Sequence, residues 1–225
     1  MSKANVKLVE EYIEQVINRK RFDRLAEFCT EDCVLRASPY VGVGVNFDDT
    51  SGERLILTDM VPNGPARGHL QFGDELVRVQ DGAHIWETFE ELQKGFWAHG
   101  LVNTEIVLTV RRQGDILTIP LRRVRIDEFD LKVSDIFSAD NPFWIKYWPD
   151  IKMEIREIFG SGDMVACYAI NAGTNLEYGR SAVWGELDLF KLKDGKIKEV
   201  RIIEDAYSQL KQLGYQILEP VREHA

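Results

Sequence analysis

The chain is poor in the residues that would mark several function classes. Its 225 residues include only three cysteines, Cys29, Cys33 and Cys167, and four histidines, His69, His84, His99 and His224. An odd cysteine count without framework spacing argues against a disulfide-stapled secreted scaffold, so buried structural thiols are expected. Cys29 and Cys33 are four apart, but no second Cys/His pair lies nearby and the histidines are scattered, so neither a metal nor another cofactor is expected. Basic residues are in deficit: Lys plus Arg is 28 against 37 Asp plus Glu, a net charge of −9. Without a basic excess to replace counterions, nucleic acid and anionic membrane surfaces are not expected partners. No run approaches the roughly 18 consecutive apolar residues of a membrane span. The opening MSKANVKLVEEYIEQ lacks the apolar core of a signal peptide, which makes a cytoplasmic location the expectation.

What is present is ordinary globular material, 44% hydrophobic and 29% charged, enough for one large or two small domains. Val6, Val9, Ile13 and Val16 with Ile17 recur at helical spacing, while Lys7, Glu10, Glu11 and Glu14 take the other face. A short helical stretch, Phe22 to Phe28, leads into the strand-like CVLRAS. From Tyr40 to Ile126 the texture changes to short strands broken by Gly, Pro and Asp turns, with one helix-like stretch, TFEELQKGFW. Helix and loop return after Asp127. Four strand candidates then follow, IKMEIREIF, DMVACYAIN, SAVWGELDLFKL and KIKEVRIIE, with SGD and KDG as turns of an antiparallel meander. A final helix from Ala206 to Leu213 stops at Gly214. Neither outer part would bury enough apolar surface alone, so the central block reads as an insertion into a discontinuous host. The expected division is residues 1–39 plus 127–219 for the host, 40–126 for the insert and 220–225 for a C-terminal tail.

The insert carries YVGVGV, then DMVPNGPARGHLQFGDELVRVQDG, then TEIVLTVRR. With these residues it resembles a bacterial PDZ domain of the type attached to carboxy-terminal processing proteases, which implies a β-barrel-like fold that binds peptide C-termini. By that resemblance Val43, Gly44 and Val45 would donate backbone N–H groups to the peptide carboxylate. The peptide would add as a strand beside residues 44–48, against a helix carrying Phe89, Leu92 and Phe96. A spacer or lid without a ligand is the competing reading. A dinucleotide fingerprint is excluded, because Phe47 replaces the third glycine and further strand, not helix, follows.

The host carries FDRLAEFCTEDCVL, YWPDIKMEIREIFGSGDMVACY and LFKLKDGKIKEVRIIEDAYSQLKQLGY. It resembles the SnoaL-like polyketide cyclases of the nuclear-transport-factor-2-like and ketosteroid-isomerase-like superfamily. That resemblance implies an α+β cone, a curved antiparallel sheet wrapped around helices, with an apolar cavity for a small apolar or carbonyl-containing ligand. It also implies homodimerisation through the open face of the meander. Asp205 stands where the family's catalytic aspartate would be, a candidate base for proton transfer beside a carbonyl. Unbroken alternation would put Arg201, Ile203 and Asp205 on the cavity face, with Arg201 as a candidate partner that lowers the carboxyl's pKa. Val200 and Arg201 depart from the family's His-aromatic segment, and Asp205 could equally be a helix N-cap. Trp144, Trp148, Trp184, Tyr12, Tyr168 and Phe143 are candidates for the cavity wall or simply for core. Glu186 and Asp188 alternate with Trp184 on one strand. Turned inward they would form a paired-carboxylate site. Turned outward they would be a solvated face or dimer rim, which the cost of burying carboxylates favours.

Overall fold

The structure is a computed structural model that describes residues 2–49, 53–137, 147–176 and 178–215, without the side chains of Ser2 and Phe96. The expected tail 220–225, Phe143 and Trp144 lie outside the described residues. The chain divides into two compact units, one of Met1–Ser38 with Asp130–Ala225 and one of Pro39–Phe129.

The first unit begins with helix α1 (Ser2–Tyr12), which runs into a π-helical turn, Ile13–Asn18. A 3-10 turn (Phe22–Arg24) and the short α2 (Leu25–Phe28) lead into β1 (Cys29–Ala37). The second unit then supplies β2 (Tyr40–Gly42), β3 (Val45–Asp49), β4 (Leu55–Met60), β5 (Glu75–Asp81), β6 (His84–Trp86), helix α3 (Phe89–Gln93), a 3-10 turn (Phe96–Ala98), β7 (Glu105–Arg112), β8 (Asp115–Arg122) and β9 (Val124–Ile126). The chain re-enters the first unit through β10 (Phe129–Lys132) and α4 (Val133–Ile136). It finishes with β11 (Lys152–Ser161), β12 (Met164–Asn175), β13 (Arg180–Lys193), β14 (Lys196–Glu204) and α5 (Ala206–Leu213).

In the first unit the strand order is β10-β1-β14-β13-β12-β11. β11 to β14 form the expected meander, but β1 pairs parallel with β14, so the sheet is mixed and not wholly antiparallel. No hairpin joins β1 to β14, so nothing obliges them to run antiparallel. A bulge separates the pairs Cys29↔Ile197 and Val34↔Glu199, and both cysteines at its ends stay buried as free thiols. The inner face of the sheet packs on α1 around Val9, Ile13, Val16, Val165, Phe190 and Ile197. The chain leaves this sheet at the end of β1 and returns on the neighbouring β10, where Arg36 grips Asp130 through Nε at 2.8 Å and Nη2 at 3.2 Å.

In the second unit β2 pairs with β9, Tyr40 opposite Ile126, which brings the two ends of the insert together as a surface insertion requires. The main sheet has the order β3-β4-β5-β7-β8, with β6 on β5. It is open, with β3 and β8 as edges, and does not close into the expected barrel-like form among the described residues. Its breaker residues each have a local reason. Gly44 sits at φ +70, and a Cβ there would come within 3.1 Å of the Gly64 Cα, so the Asn-Gly-Pro-Ala loop can lie directly against it. Asp74 of Phe-Gly-Asp accepts from the Gln71 N–H at 2.9 Å and from Arg112 at 2.7 Å through both Nε and Nη2. Thr88 and Glu91 form a reciprocal capping box at the start of α3.

Candidate active site

β13 alternates without a break: Ala182, Trp184, Glu186, Asp188, Phe190 and Leu192 are all buried, and the residues between them are partly or fully exposed. The inward face therefore includes both carboxylates. Glu186 is 7% exposed and Asp188 4%. The expectation of a solvated face or dimer rim is overturned, because the period of two that buries Trp184 and Phe190 carries Glu186 and Asp188 with them.

Around the pair lies a cavity of about 70 Å³ in the first unit. Its wall is apolar apart from Glu186, Asp188, Asn171, Lys20 and the Tyr12 hydroxyl; Leu35, Val133, Ile136, Phe137 and Ile202 supply much of the rest. Asn171 Nδ2 donates to Glu186 Oε2 at 2.6 Å. Asp188 Oδ1 is buried with no hydrogen-bond partner. The two carboxyl groups are in hydrogen-bond contact, which requires one to keep a proton. Burial, then the Glu186 charge, pushes Asp188 well above the usual carboxylate range. Burial also raises Glu186, but bonds from Asp188 and Asn171 favour its charged form. Burial raises both groups and Asp188 the further, which favours one proton held by the pair, with Glu204 opposite Glu186 in register adding like charge. Burial, with the nearby Cys29, Cys33, Asp188 and Glu186, holds the Tyr12 hydroxyl far above its ordinary range, so it stays a neutral phenol.

Lys20 also lines this cavity. Its Nζ donates to Ile17 O at 2.6 Å and to Ile151 O at 3.0 Å. Burial and then the neighbouring Lys152 bring its amine down to about 8. It follows the π-helical turn and sits at φ 57, a left-handed conformation unusual for a residue with a side chain.

The residues expected from sequence to carry chemistry fall elsewhere. Asp205 is the N-cap of α5: it is exposed, its Oδ1 accepts from the Ser208 N–H at 3.0 Å, and that bond lowers its pKa. Arg201 Nε donates to Glu199 Oε1 at 2.9 Å. Neither lines the cavity, because β14 turns Val200 and Ile202 inward while Ile203 is 60% exposed. The expected face of β14 is thus the outer one. Trp148 and Trp184 pack with ring centroids 5.1 Å apart and planes tilted by 54°, in a separate cluster with Ile151, Ala182 and Leu213, and Tyr168 is exposed on the outer face. Strand alternation along β13, read from Trp184 as a core residue, was the available signal for the carboxyl pair. Nothing in the sequence marked Lys20.

In the second unit a groove of about 380 Å³ runs between the edge strand β3 and the α3 segment, lined by Val45, Asn46 and Phe47 on one side and by Leu92–Gly95 and Trp97–His99 on the other. Leu92 is in its wall and in the core. Phe89 packs on the core, and the Phe96 side chain lies outside the description. Val43 is corrected as a carboxylate donor: it is fully buried and its N–H is taken by Ala98 O at 3.1 Å. Gly44 O accepts from Val61 N–H at 3.0 Å, and Val45 pairs with Met60 while lining the groove. The sequence placed the three residues together; the Ala98 carbonyl that occupies Val43 comes from a remote turn. Trp97 and this turn are held by Arg123, buried to 2%, whose Nη2 donates to Trp97 O at 2.7 Å and to Asp81 Oδ2 at 2.8 Å.

Residues 134–213 match the SnoaL-like polyketide cyclase family. That stretch contains β11 to β14 and both cavity carboxylates. Over 110 residues the chain is 31% identical to the serine endoprotease DegS of Haemophilus influenzae, covering 48% of this chain and 29% of that protein. It therefore spans less than a third of the length of this relative. Among solved structures, IdmH of Streptomyces antibioticus aligns at 15% identity with a TM-score of 0.44, covering 94% of this chain and 99% of that one. TsrD of Streptomyces laurentii aligns at 12% with a TM-score of 0.45, covering 95% and 98%. Among the described residues no helix is long and apolar enough to cross a membrane, and no cluster of His, Cys, Asp and Glu has the makings of a metal site.

Proposed function

We propose that the first unit binds a small, mainly apolar carbonyl compound and that Glu186 and Asp188 move a proton on it, an isomerase- or cyclase-type step. The observation that carries this reading is a pair of carboxyls buried in an otherwise apolar cavity, one poised to accept a proton and the other to donate one. Such a pair operates near neutral pH because burial brings carboxyl pKa values toward it. The match to a cyclase family over the same strands supports it. The cavity volume corresponds to roughly five or six waters, so the ligand is small. The test is exchange of α-protons of 2-butanone and cyclopentanone in D₂O, followed by NMR. Glu186→Gln and Asp188→Asn are each expected to slow exchange by about 10²-fold or more. Exchange by the unaltered protein that both variants retain defeats the reading.

A second reading concerns the insert, and the groove beside the β3 edge favours it. An extended peptide added to that edge would gain main-chain hydrogen bonds from β3 and side-chain contacts from Leu92 and Trp97. The test is fluorescence-polarisation binding of a C-terminal peptide library, with each hit repeated as its amide. Loss on amidation means recognition of a free C-terminus; retention means an internal segment; absence of binding leaves a lid or spacer. The outer face of the meander exposes Phe159, Tyr168, Val183 and Ile203, and a second copy of the chain is its proposed cover, to be checked by light scattering with Tyr168→Asp. Three free buried thiols suit the reducing cytoplasm.

A further inference from the structure

Lys20 is a half-buried amine that forms no ion pair among the described residues and shares a cavity with a carboxyl pair. Its backbone pays for a left-handed conformation that a glycine would adopt freely, at a cost on the order of 1–2 kcal/mol. A tether between the helix end and Ile151 would explain the two backbone hydrogen bonds, but it gives no reason for the side chain to border the cavity. Ile17 and Ile151, whose carbonyls receive those bonds, border it as well. A neutral amine has two hydrogens and one lone pair. Here two carbonyls from separate elements can accept both hydrogens, which leaves the lone pair as the remaining valence. Lys152, which donates to Asn18 O at 2.7 Å, places a second cation near it. An amine set in apolar surroundings beside another cation is the arrangement that makes lysine nucleophilic.

We propose that Lys20 forms an imine with the carbonyl carbon of the ligand, so that the substrate class is an unhindered aldehyde or ketone. This rests on the reading of the same cavity as a ligand site. The Nζ lone pair forms the N–C bond while the carbonyl π pair moves to oxygen, which takes the Asp188 proton. The nitrogen releases a proton to the carboxyl pair. The hydroxyl then leaves as water with a proton from that pair, and the nitrogen lone pair closes the C=N bond. The neutral amine, the carbonyl and one proton from the carboxyl pair become an iminium and water, with no oxidant or reductant consumed. The iminium keeps one N–H for one of the two backbone carbonyls and acidifies the adjacent C–H for Glu186.

The experiment is reductive trapping of the whole protein with 2-butanone and cyanoborohydride at about pH 7, with peptide mapping by mass spectrometry. An amine near 8 is about a tenth neutral there, against roughly a few ten-thousandths for an ordinary lysine, so Lys20 should label some two orders of magnitude faster than the other lysines. Lys20→Arg keeps a cation and donors for the two carbonyls and should abolish the fast label with the melting temperature little changed. Lys152→Met should slow the label. Uniform labelling, no label at Lys20, or a fast label that survives Lys20→Arg overturns the proposal. Ketone exchange that depends on Glu186 but persists in Lys20→Arg rejects the imine and leaves the carboxyl reading standing. A fast Lys20 label with exchange indifferent to both carboxyl variants does the reverse.

Discussion

Asp188→Asn removes a titrating group from the cavity at almost constant volume, and its effect on stability has a definite sign. Burial and the Glu186 charge raise Asp188 well above the value of about 3.9 that it has in an unfolded chain. Between about pH 4 and the raised folded-state value, the native chain holds a proton that the unfolded chain has released. Stability therefore falls as pH rises through that window, and the contribution of the protonated group is fully present only below about pH 4. Each unit of upward displacement is worth about 1.4 kcal/mol. The amide introduced by Asp188→Asn does not titrate, and its NH₂ can donate to Glu186 in place of the lost proton. Relative to the unaltered protein the variant should therefore gain stability as pH rises from 4 toward 8, each 1 kcal/mol of the gain reading as roughly 2–4 °C in melting temperature for a chain of this size. Thermal and urea unfolding of both proteins at pH 4, 6 and 8 provides the measurement. A stability difference that stays constant from pH 4 to pH 8 would refute the placement of a proton on Asp188, and with it the acid–base pair.

Other expectations follow from single contacts. Asp205→Ala should cost about 1 kcal/mol of stability through the lost bond to the Ser208 N–H and leave ketone exchange at the unaltered rate; a fall in exchange would return Asp205 to the active site. Arg123→Met should destabilise the insert by about 2–4 kcal/mol, less than a wholly buried pair because Asp81 is partly solvated, and should weaken any peptide binding; unchanged unfolding would show that the Trp97 turn stands without it. Gly44→Ala should cost about 1–2 kcal/mol, since it places a side chain at φ +70 against Gly64, and an unaffected insert would contradict that close approach.

Period-two alternation was strong enough to identify β7, β8 and the four meander strands, and the first of the helices declared itself by period. The abrupt change at Tyr40 was legible because host and insert differ in turn density. Less legible were features produced by chain segments that meet only in three dimensions. The face of β14 was one: Arg201 to Asp205 alternate correctly, but which side is inner depends on where α1 and β13 lie. The Val43 N–H was another, because its acceptor is more than fifty residues away at Ala98.

The sequence by itself carried most of the elements, the change of texture at Tyr40 and the family-like motifs, since each is a local pattern of hydrophobicity and turn chemistry. It also determined that Glu186, Asp188 and Trp184 share one face. Only the tertiary structure decided that this face is the interior, that Asp205 caps a helix at the surface, and that Lys20, at the end of a π-helical turn, meets the same cavity. The reason is physical: a period fixes which residues travel together, but burial is conferred by whatever packs against them. The pKa values, and with them the available chemistry, follow from burial and charged neighbours and not from residue type alone.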